Sequence, residues 1–304
     1  MKILVTGGAG FIGSNIVKHL EAKGAKTFVL DNFAYGNYQN LLDVKAEIIT
    51  GNICDEDILK KIPKIDAVIH LAAITDTTLD DDEKMMAVNY QGSKNILSFC
   101  LRKNIRLVYA SSAGVYGEGK SPMYENQKIT PHNIYAYSKY LFDCEVIKIT
   151  KNKKIMPIIG LRYFNVYGPG EYHKGSAASM CYQLYLQITQ NKRPRIFKHG
   201  EQKRDFIYVK DVARISALGL QSKKSAIVNV GTGKARSFND IVNSLNKTLS
   251  TNLKPEYFSN PFEGKYQNFT EADTLLLQKT LKTKTEFSLE AGISDYVNNF
   301  LKKA

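Results

Sequence analysis

Short apolar runs recur along the first half of the chain, separated by longer stretches whose apolar residues fall at helical spacing. The runs at 2–6, 26–30, 46–50, 65–70, 105–110 and 156–162 are near-continuous, as expected of strands buried on both faces of a parallel sheet. Between them a helix is predicted from Ser14 onward, a long one over 83–103, and another over 133–151. Met86, Val88, Ile96, Leu97 and Leu101 supply the apolar positions of the second. Strand and helix alternate, which predicts an α/β fold on a doubly wound parallel sheet, the Rossmann arrangement.

Beyond Tyr163 the pattern changes. Gly168-Pro169-Gly170 breaks regular structure, and shorter helices are predicted at 176–190, 209–221, 237–249, 271–282 and 288–302. A strand at 227–230 is placed back in the main sheet. The chain of 304 residues is long enough for a large core in two lobes. The reading is a dinucleotide-binding domain over 1–165 plus roughly 204–235, interleaved with a smaller α/β substrate lobe over 166–203 and 236–304.

The first apolar run breaks at once into Gly7-Gly8-Ala9-Gly10-Phe11-Ile12-Gly13, and the second ends on Asp31. Glycines let a backbone approach a diphosphate with no Cβ in the way. The open N–H groups and positive dipole end of the following helix then face the anion. Gly13 lies one turn inside, where a missing side chain permits close packing of helix on strand. Asp31 is placed to accept both ribose hydroxyls of NAD. A glycine trio alone also fits a tight turn without a ligand; strand, turn, helix, strand and terminal acid in this order outweigh that reading. No Lys or Arg occurs between Asp31 and Lys45, which favours NAD over NADP. Asn32 continues the second strand end, Asn52 and Ile53 border the adenine, and Leu71, Ala72 and Ala73 pass beside the diphosphate.

Composition changes this picture little. No stretch of about eighteen apolar residues occurs, so no membrane span is expected. The amino-terminal run is broken by glycines without a small-residue cleavage site and is read as a strand, not a leader. Cys54, Cys100, Cys144 and Cys181 lie far apart, as in reduced thiols of a cytoplasmic protein, and no His cluster marks a metal. The net charge of +13 raises nucleic acid as a partner, but the basic residues sit in scattered pairs and triplets. A solvated surface, or attraction of an anionic nucleotide substrate, fits better.

Tyr135 and Lys139 are four apart on a predicted helix, so they share a face. A cation beside a phenol favours phenolate, which makes Tyr135 a candidate general base, with Lys139 also able to reach the nicotinamide ribose. Ser112, at the end of a strand, can hydrogen-bond the same reacting oxygen. An exposed Tyr–Lys pair is the bland alternative, and it would win were the glycine turn and strand-end serine absent. His70 is read as a packed strand-end histidine, and Tyr137 and Tyr140 as packing.

These residues carry a resemblance. Thr6 to Gly13, Asp31, His70 to Ala73, Asn89, Ser111-Ser112, Val115-Tyr116-Gly117, Tyr135-x-x-x-Lys139 and the run from Arg162 to Pro169 are similar to the extended short-chain dehydrogenase/reductases that act on nucleotide sugars. The resemblance covers nearly the whole chain. It implies Ser112, Tyr135 and Lys139 as the catalytic set, Asn89 as cofactor-binding, and Ser111, Asn165 and Arg204 on the substrate. It also implies a homo-oligomer paired through the helices at 83–103 and 133–151. The segments Tyr172 to Met180, Gly231 to Phe238 and Tyr266 to Asp273 resemble the ADP-L-glycero-D-manno-heptose 6-epimerases. That resemblance implies Lys174 as a second acid/base, with Ser176 and Tyr266 at the substrate. Inversion through a ketone suits such a pair, because the proton must be handled on two faces of the sugar. Relatives that act as 4-epimerases or C4 dehydrogenases are the other reading, and a non-catalytic NAD sensor a third. A dehydratase fits poorly, since Ala113-Gly114 stand after Ser112 where those relatives have Asp-Glu.

One departure stands out. Heptose epimerases often have a shorter segment after the second strand, with a lysine suited to NADP, whereas this chain has a longer Asn32 to Val44 with no Lys or Arg.

Overall fold

The computed structural model describes residues 1–77, 79–151, 155–259 and 269–302. The strands of its first part are β1 (Lys2–Thr6), β2 (Lys26–Asp31), β3 (Glu47–Thr50), β4 (Ala67–His70), β5 (Arg106–Ser112) and β6 (Ile158–Tyr163). Later come β7 (Asn165–Tyr167), β8 (Arg195–Phe197), β9 (Lys203–Tyr208), β10 (Ala226–Val230), β11 (Ala235–Ser237) and β12 (Glu256–Phe258). Helices α1 (Phe11–Ala22), α2 (Glu56–Lys60), α3 (Asp82–Met86), α4 (Ser93–Lys103) and α5 (Ile134–Thr150) alternate with the first strands. Helices α6 (Met180–Thr189), α7 (Val209–Gly219), α8 (Phe238–Leu249), α9 (Leu275–Leu281) and α10 (Leu289–Tyr296) follow.

The main sheet has seven strands in the order β10-β6-β5-β4-β1-β2-β3, every pair parallel. Strand order runs outward from β1 to β3, then resumes at β4 on the other side of β1. That reversal opens a crevice beyond the carboxyl ends of β1 and β4, where α/β sheets of this kind bind ligands. The register Thr6↔His70 and His70↔Tyr109 brings the ends of β1, β4 and β5 side by side.

Two apolar layers cover the sheet. One packs α1, α7 and α9 on Val5, Ile69, Ile159 and Val228; the other packs α4 and α5 on Leu4, Val68, Leu107 and Ile158. A separate cluster ties α6, α8 and α10 to β9 through Leu184, Phe206, Ile241 and Ile293. Each such side chain, removed from water, stabilises the fold by about 1.5–3 kcal/mol.

The strand at 227–230 does rejoin the main sheet, beside β6. The predicted helix at 83–103 is not uniform: α3 and α4 are joined by a π turn over Ala87–Gly92 that carries the buried Asn89. The helices predicted at 176–190 and 271–282 start later, at Met180 and Leu275. Ser179 caps the first of these through the Tyr182 amide, and the preceding Tyr172–Ala177 forms a 3-10 turn instead. The strands β7, β9 and β11 form a second sheet that the apolar runs did not reveal.

Candidate active site

The turn from β1 into α1 is built for an anion. Gly7 has φ +70, and a Cβ there would lie 2.7 Å from the Ala72 amide nitrogen. A Cβ on Gly13 would stand 2.1 Å from the Gly7 carbonyl oxygen, so only glycine lets α1 approach this turn. Gly10 is the N-cap of α1, makes no side-chain cap, and no acid occupies the first turn. The first N–H groups of a twelve-residue helix are thus left for a ligand, next to Phe11 and Ile12. Asp31 Oδ2 accepts from the Ala9 amide at 2.9 Å and Oδ1 from Phe33 at 2.8 Å. Burial raises its pKa and these backbone donors oppose the rise. Both oxygens keep a lone pair for ribose hydroxyls, so the residues present fit a dinucleotide. Asn32 is exposed and caps Ala34; Asn52 is exposed and caps Cys54; Ile53 is buried against the α4 layer.

Leu71, Ala72 and Ala73 follow β4 along the crevice, partly open. The amides of Leu71 and Ala72 donate to the Thr6 hydroxyl, each at 3.3 Å. That hydroxyl meets His70 Nδ1 at 2.7 Å, while Nε2 meets the Ser93 hydroxyl at 2.9 Å. Ser93 already donates to the Asn89 carbonyl, so the network assigns the ring proton to Nε2. Burial, with Lys139 nearby, drives the His70 pKa down to about 3, and the ring is neutral packing, as expected. Asn89 is buried with its amide spent on Ile74: Oδ1 accepts from the Ile74 amide and Nδ2 donates to its carbonyl. It fixes the loop after β4, a positioning role where direct cofactor contact was expected.

At the end of β5, the Ser112 hydroxyl accepts from the Gly114 amide at 3.1 Å and lies close enough to the Tyr135 phenol to act on its ionisation. Tyr135 opens α5, whose start Asn133 caps through the Ala136 amide. Lys139, only 4% exposed, places Nζ 5.9 Å from the centre of the Tyr135 ring. Burial lowers its pKa to about 8, against the pull of Asp143. Burial raises the Tyr135 phenol, and the Ser112 hydrogen bond opposes the rise. In the protein alone, desolvation is thus the largest effect on the phenol.

One turn beyond Lys139, Asp143 is fully buried and accepts from Tyr109, Ser111 and the Nε and Nη2 groups of Arg162, at 2.8–3.1 Å. Burial works against the Arg162 cation, but Asp143 and Tyr116 hold its pKa above the ordinary guanidinium value. Ser111, expected at the substrate, instead spends its hydroxyl on this interior network. Asp143 was not singled out in the sequence, although it repeats the four-residue spacing from Tyr135 to Lys139.

Lys174 sits in the 3-10 turn of Tyr172–Ala177, half-buried, with Nζ 5.8 Å from the centre of the Phe11 ring at the glycine turn. Burial lowers its pKa and Glu171 opposes this. Tyr135, in the first turn of α5, and Lys174, beside Phe11 at the β1–α1 turn, are thus held by different elements. Ser176 is exposed, with its carbonyl held by Gln183. Asn165 on β7 is exposed and meets the Thr270 hydroxyl at 3.4 Å; Arg204 on β9 is buried and donates to the Lys203 carbonyl. Tyr266 lies outside the described residues.

A parallel sheet that offers a glycine turn and a phenol–lysine pair to one crevice is the architecture of a dinucleotide-dependent enzyme that moves protons as well as electrons. Residues 3–231 match the NAD dependent epimerase/dehydratase family, and the chain belongs to that family, with NAD as its cofactor. The chain is similar to the ADP-L-glycero-D-manno-heptose-6-epimerase of Helicobacter pylori, at 38% identity over 98% of this chain and 95% of that one, TM-score 0.92. It is also similar to a UDP-N-acetylglucosamine 4-epimerase of Methanobrevibacter ruminantium, solved with UDP-N-acetylmuramic acid: 27% identity, 100% and 99% covered, TM-score 0.92. The UDP-glucose 4-epimerase of Thermotoga maritima, solved with UDP-glucose, matches at 28% identity, 100% and 99% covered, TM-score 0.90. Among the described residues no helix is long and apolar enough to cross a membrane, and no metal-binding group forms.

Proposed function

We propose that this enzyme inverts a carbon of an NDP-heptose, as an ADP-glycero-manno-heptose 6-epimerase-like enzyme working through a transient keto-sugar. What supports the reading is that Tyr135, which Ser112 reaches, opens α5, while Lys174 lies on a different element, beside Phe11 at the glycine turn. NAD, when bound, supplies the reversible two-electron oxidant. Tyr135 takes the sugar hydroxyl proton while Ser112 holds the same oxygen, and Lys139 beneath it supplies positive charge where the phenolate forms. After the ketone presents its other face, the Lys174 ammonium donates a proton to the re-formed hydroxyl; the pair is then reset as Tyr135 loses its proton to solvent and Lys174 regains one from it. Glycine-turn amides and Asp31 bind and orient the dinucleotide, whose 2′-hydroxyl the carboxylate favours over a 2′-phosphate. Asn165, Ser176, Arg204 and Tyr266 complete the substrate side of this proposal, with Asn52 and Ile53 at the adenine.

The 38% identity over nearly the full chain supports the heptose and, with it, a place in cell-surface polysaccharide biosynthesis. The likeness to UDP-sugar 4-epimerases supports a second reading, a UDP-hexose 4-epimerase or C4 dehydrogenase. A pure NAD sensor would have no use for the proton-handling set. The four thiols are free, in keeping with a cytoplasmic enzyme. Exposed Leu101 on α4, and Tyr137 and Ile147 on α5, support pairing of those helices in a homo-oligomer. Incubation with ADP-, UDP- and GDP-linked heptoses and hexoses, with products resolved by NMR, tests the assignment. Conversion of an ADP-heptose to its C6 epimer upholds it, and conversion of UDP-hexoses alone replaces it with the second reading.

A further inference from the structure

The long segment after β2, free of Lys and Arg up to Lys45, has a use that its sequence did not show. Asn40, only 3% exposed, donates through Nδ2 to the carbonyls of Ala9 and Gly170, at 3.1 and 3.2 Å. Asn15 on α1 makes the same kind of bridge, from Nδ2 to the Phe11 and Pro169 carbonyls at 2.9 and 2.7 Å. Each side-chain NH2 thus joins one carbonyl of the glycine turn to one carbonyl of the segment 168–175. An amide with two N–H donors is the group that such a bridge needs.

The bridged segment is closed into a single unit. Fully buried Glu171 accepts from the Gly168 amide at 3.0 Å and from the amide and hydroxyl of Ser179 at 2.6 and 2.9 Å. Gly170 has φ +94, and a Cβ built there would lie 3.4 Å from side-chain atoms of Asn15, Asn40 and Ser14, so these three side chains surround it at contact distance. The His173 ring lies against backbone groups of Tyr35 and Gly170, and Asn40 Nδ2 approaches its Nδ1 at 3.5 Å. Lys174 is the next residue.

We propose that Asn15 and Asn40 are positioning residues that dock the strap 168–175 onto the glycine turn, so that the diphosphate-binding turn sets where Lys174 stands. The consequence for turnover rests on Lys174 being the second acid/base, but the docking itself does not. Asn40 serves this purpose only because the segment after β2 is long enough to reach across Ala9.

The test compares Asn40→Ala with the parent, both loaded with NAD. Amide hydrogen exchange in peptides spanning 168–175 should rise about tenfold or more, while peptides of β4 and β6 keep their rates. Turnover of the ADP-heptose should fall about tenfold with KM changed less than about twofold, because the misplaced group acts after binding. In a Lys174→Met background the same Asn40→Ala change should cost less than about twofold more, since its route of action is gone. Unchanged exchange over 168–175 overturns the proposal, and so does an equal loss of kcat in both backgrounds. If Lys174→Met alone turns over fully, the acid/base reading falls, and the exchange measurement by itself decides the docking. Should Asn40→Ala not fold, Asn15→Ala breaks the other bridge and is read the same way.

Discussion

Replacing Asp143 with asparagine isolates the charge that joins the catalytic helix to the sheet. In the parent, Arg162 donates to the Asp143 carboxylate through both Nε and Nη2 at 2.9 Å, with both residues inaccessible to water. An amide of the same shape keeps the bond from Tyr109 but leaves the guanidinium buried without a counter-charge. Removing one partner of such a pair costs about 3–5 kcal/mol. Against a native stability of about 5–15 kcal/mol this is a large share, and Tm should fall on the order of 10 °C. A second effect follows at the site. Asp143 opposes the burial that lowers Lys139 to about 8, so its loss moves that pKa further down. If protonated Lys139 supports the Tyr135 phenolate, the basic limb of kcat/KM then shifts to lower pH. Guanidinium unfolding at fixed NAD reads the first effect and a pH–rate profile the second. A stability loss under about 1 kcal/mol with an unmoved basic limb would refute the reasoning. The double change Asp143→Leu with Arg162→Met, which removes both charges, should recover much of the loss.

Other expectations are as direct. Tyr135→Phe should lower kcat by about 10²–10⁴-fold, the usual worth of a positioned acid/base, while NAD stays bound after gel filtration; full activity removes Tyr135 from the mechanism. His70 is neutral in the native state down to about pH 3 but titrates near 6.5 when unfolded. The unfolded chain therefore binds the extra proton across that window, and stability falls with pH below 6.5 by up to about 4–5 kcal/mol. His70→Gln should flatten this part of a Tm–pH curve, and an identical slope would show that the ring is not so buried. Gly13→Ala forces a methyl to 2.1 Å from the Gly7 oxygen, so NAD content and Tm should both drop; an unchanged pair would show a looser turn.

Much of the fold was legible because parallel strands buried on both faces read as unbroken apolar runs. β1, β2 and β4 to β6 all fell where such runs lie. The π turn at Ala87–Gly92 was hidden, because Asn89 makes its partner, Ile74, fifteen residues upstream. β7 and β11 were missed because each is only three residues long, and β9 because it opens on Lys203-Arg204-Asp205 instead of an apolar run. At the site, Gly7, Gly13, Asp31, Ser112, Tyr135 and Lys139 announce themselves by local spacing. The bridges from Asn15 and Asn40 do not, since each reaches one carbonyl far along the chain, 154 residues away for Asn15 and 130 for Asn40, a geometry that spacing cannot carry. Burial also reordered the electrostatics, outweighing on Tyr135 the cation that sequence spacing brought to mind.

NMR of turnover in D2O bears most directly on the central claim, transient oxidation with return to the same carbon. With ADP-heptose and the NAD-loaded enzyme, the C6 epimer should form with protium kept at the inverted carbon and no NADH accumulating. Deuterium at that carbon, or one NADH released for each product, would contradict the account.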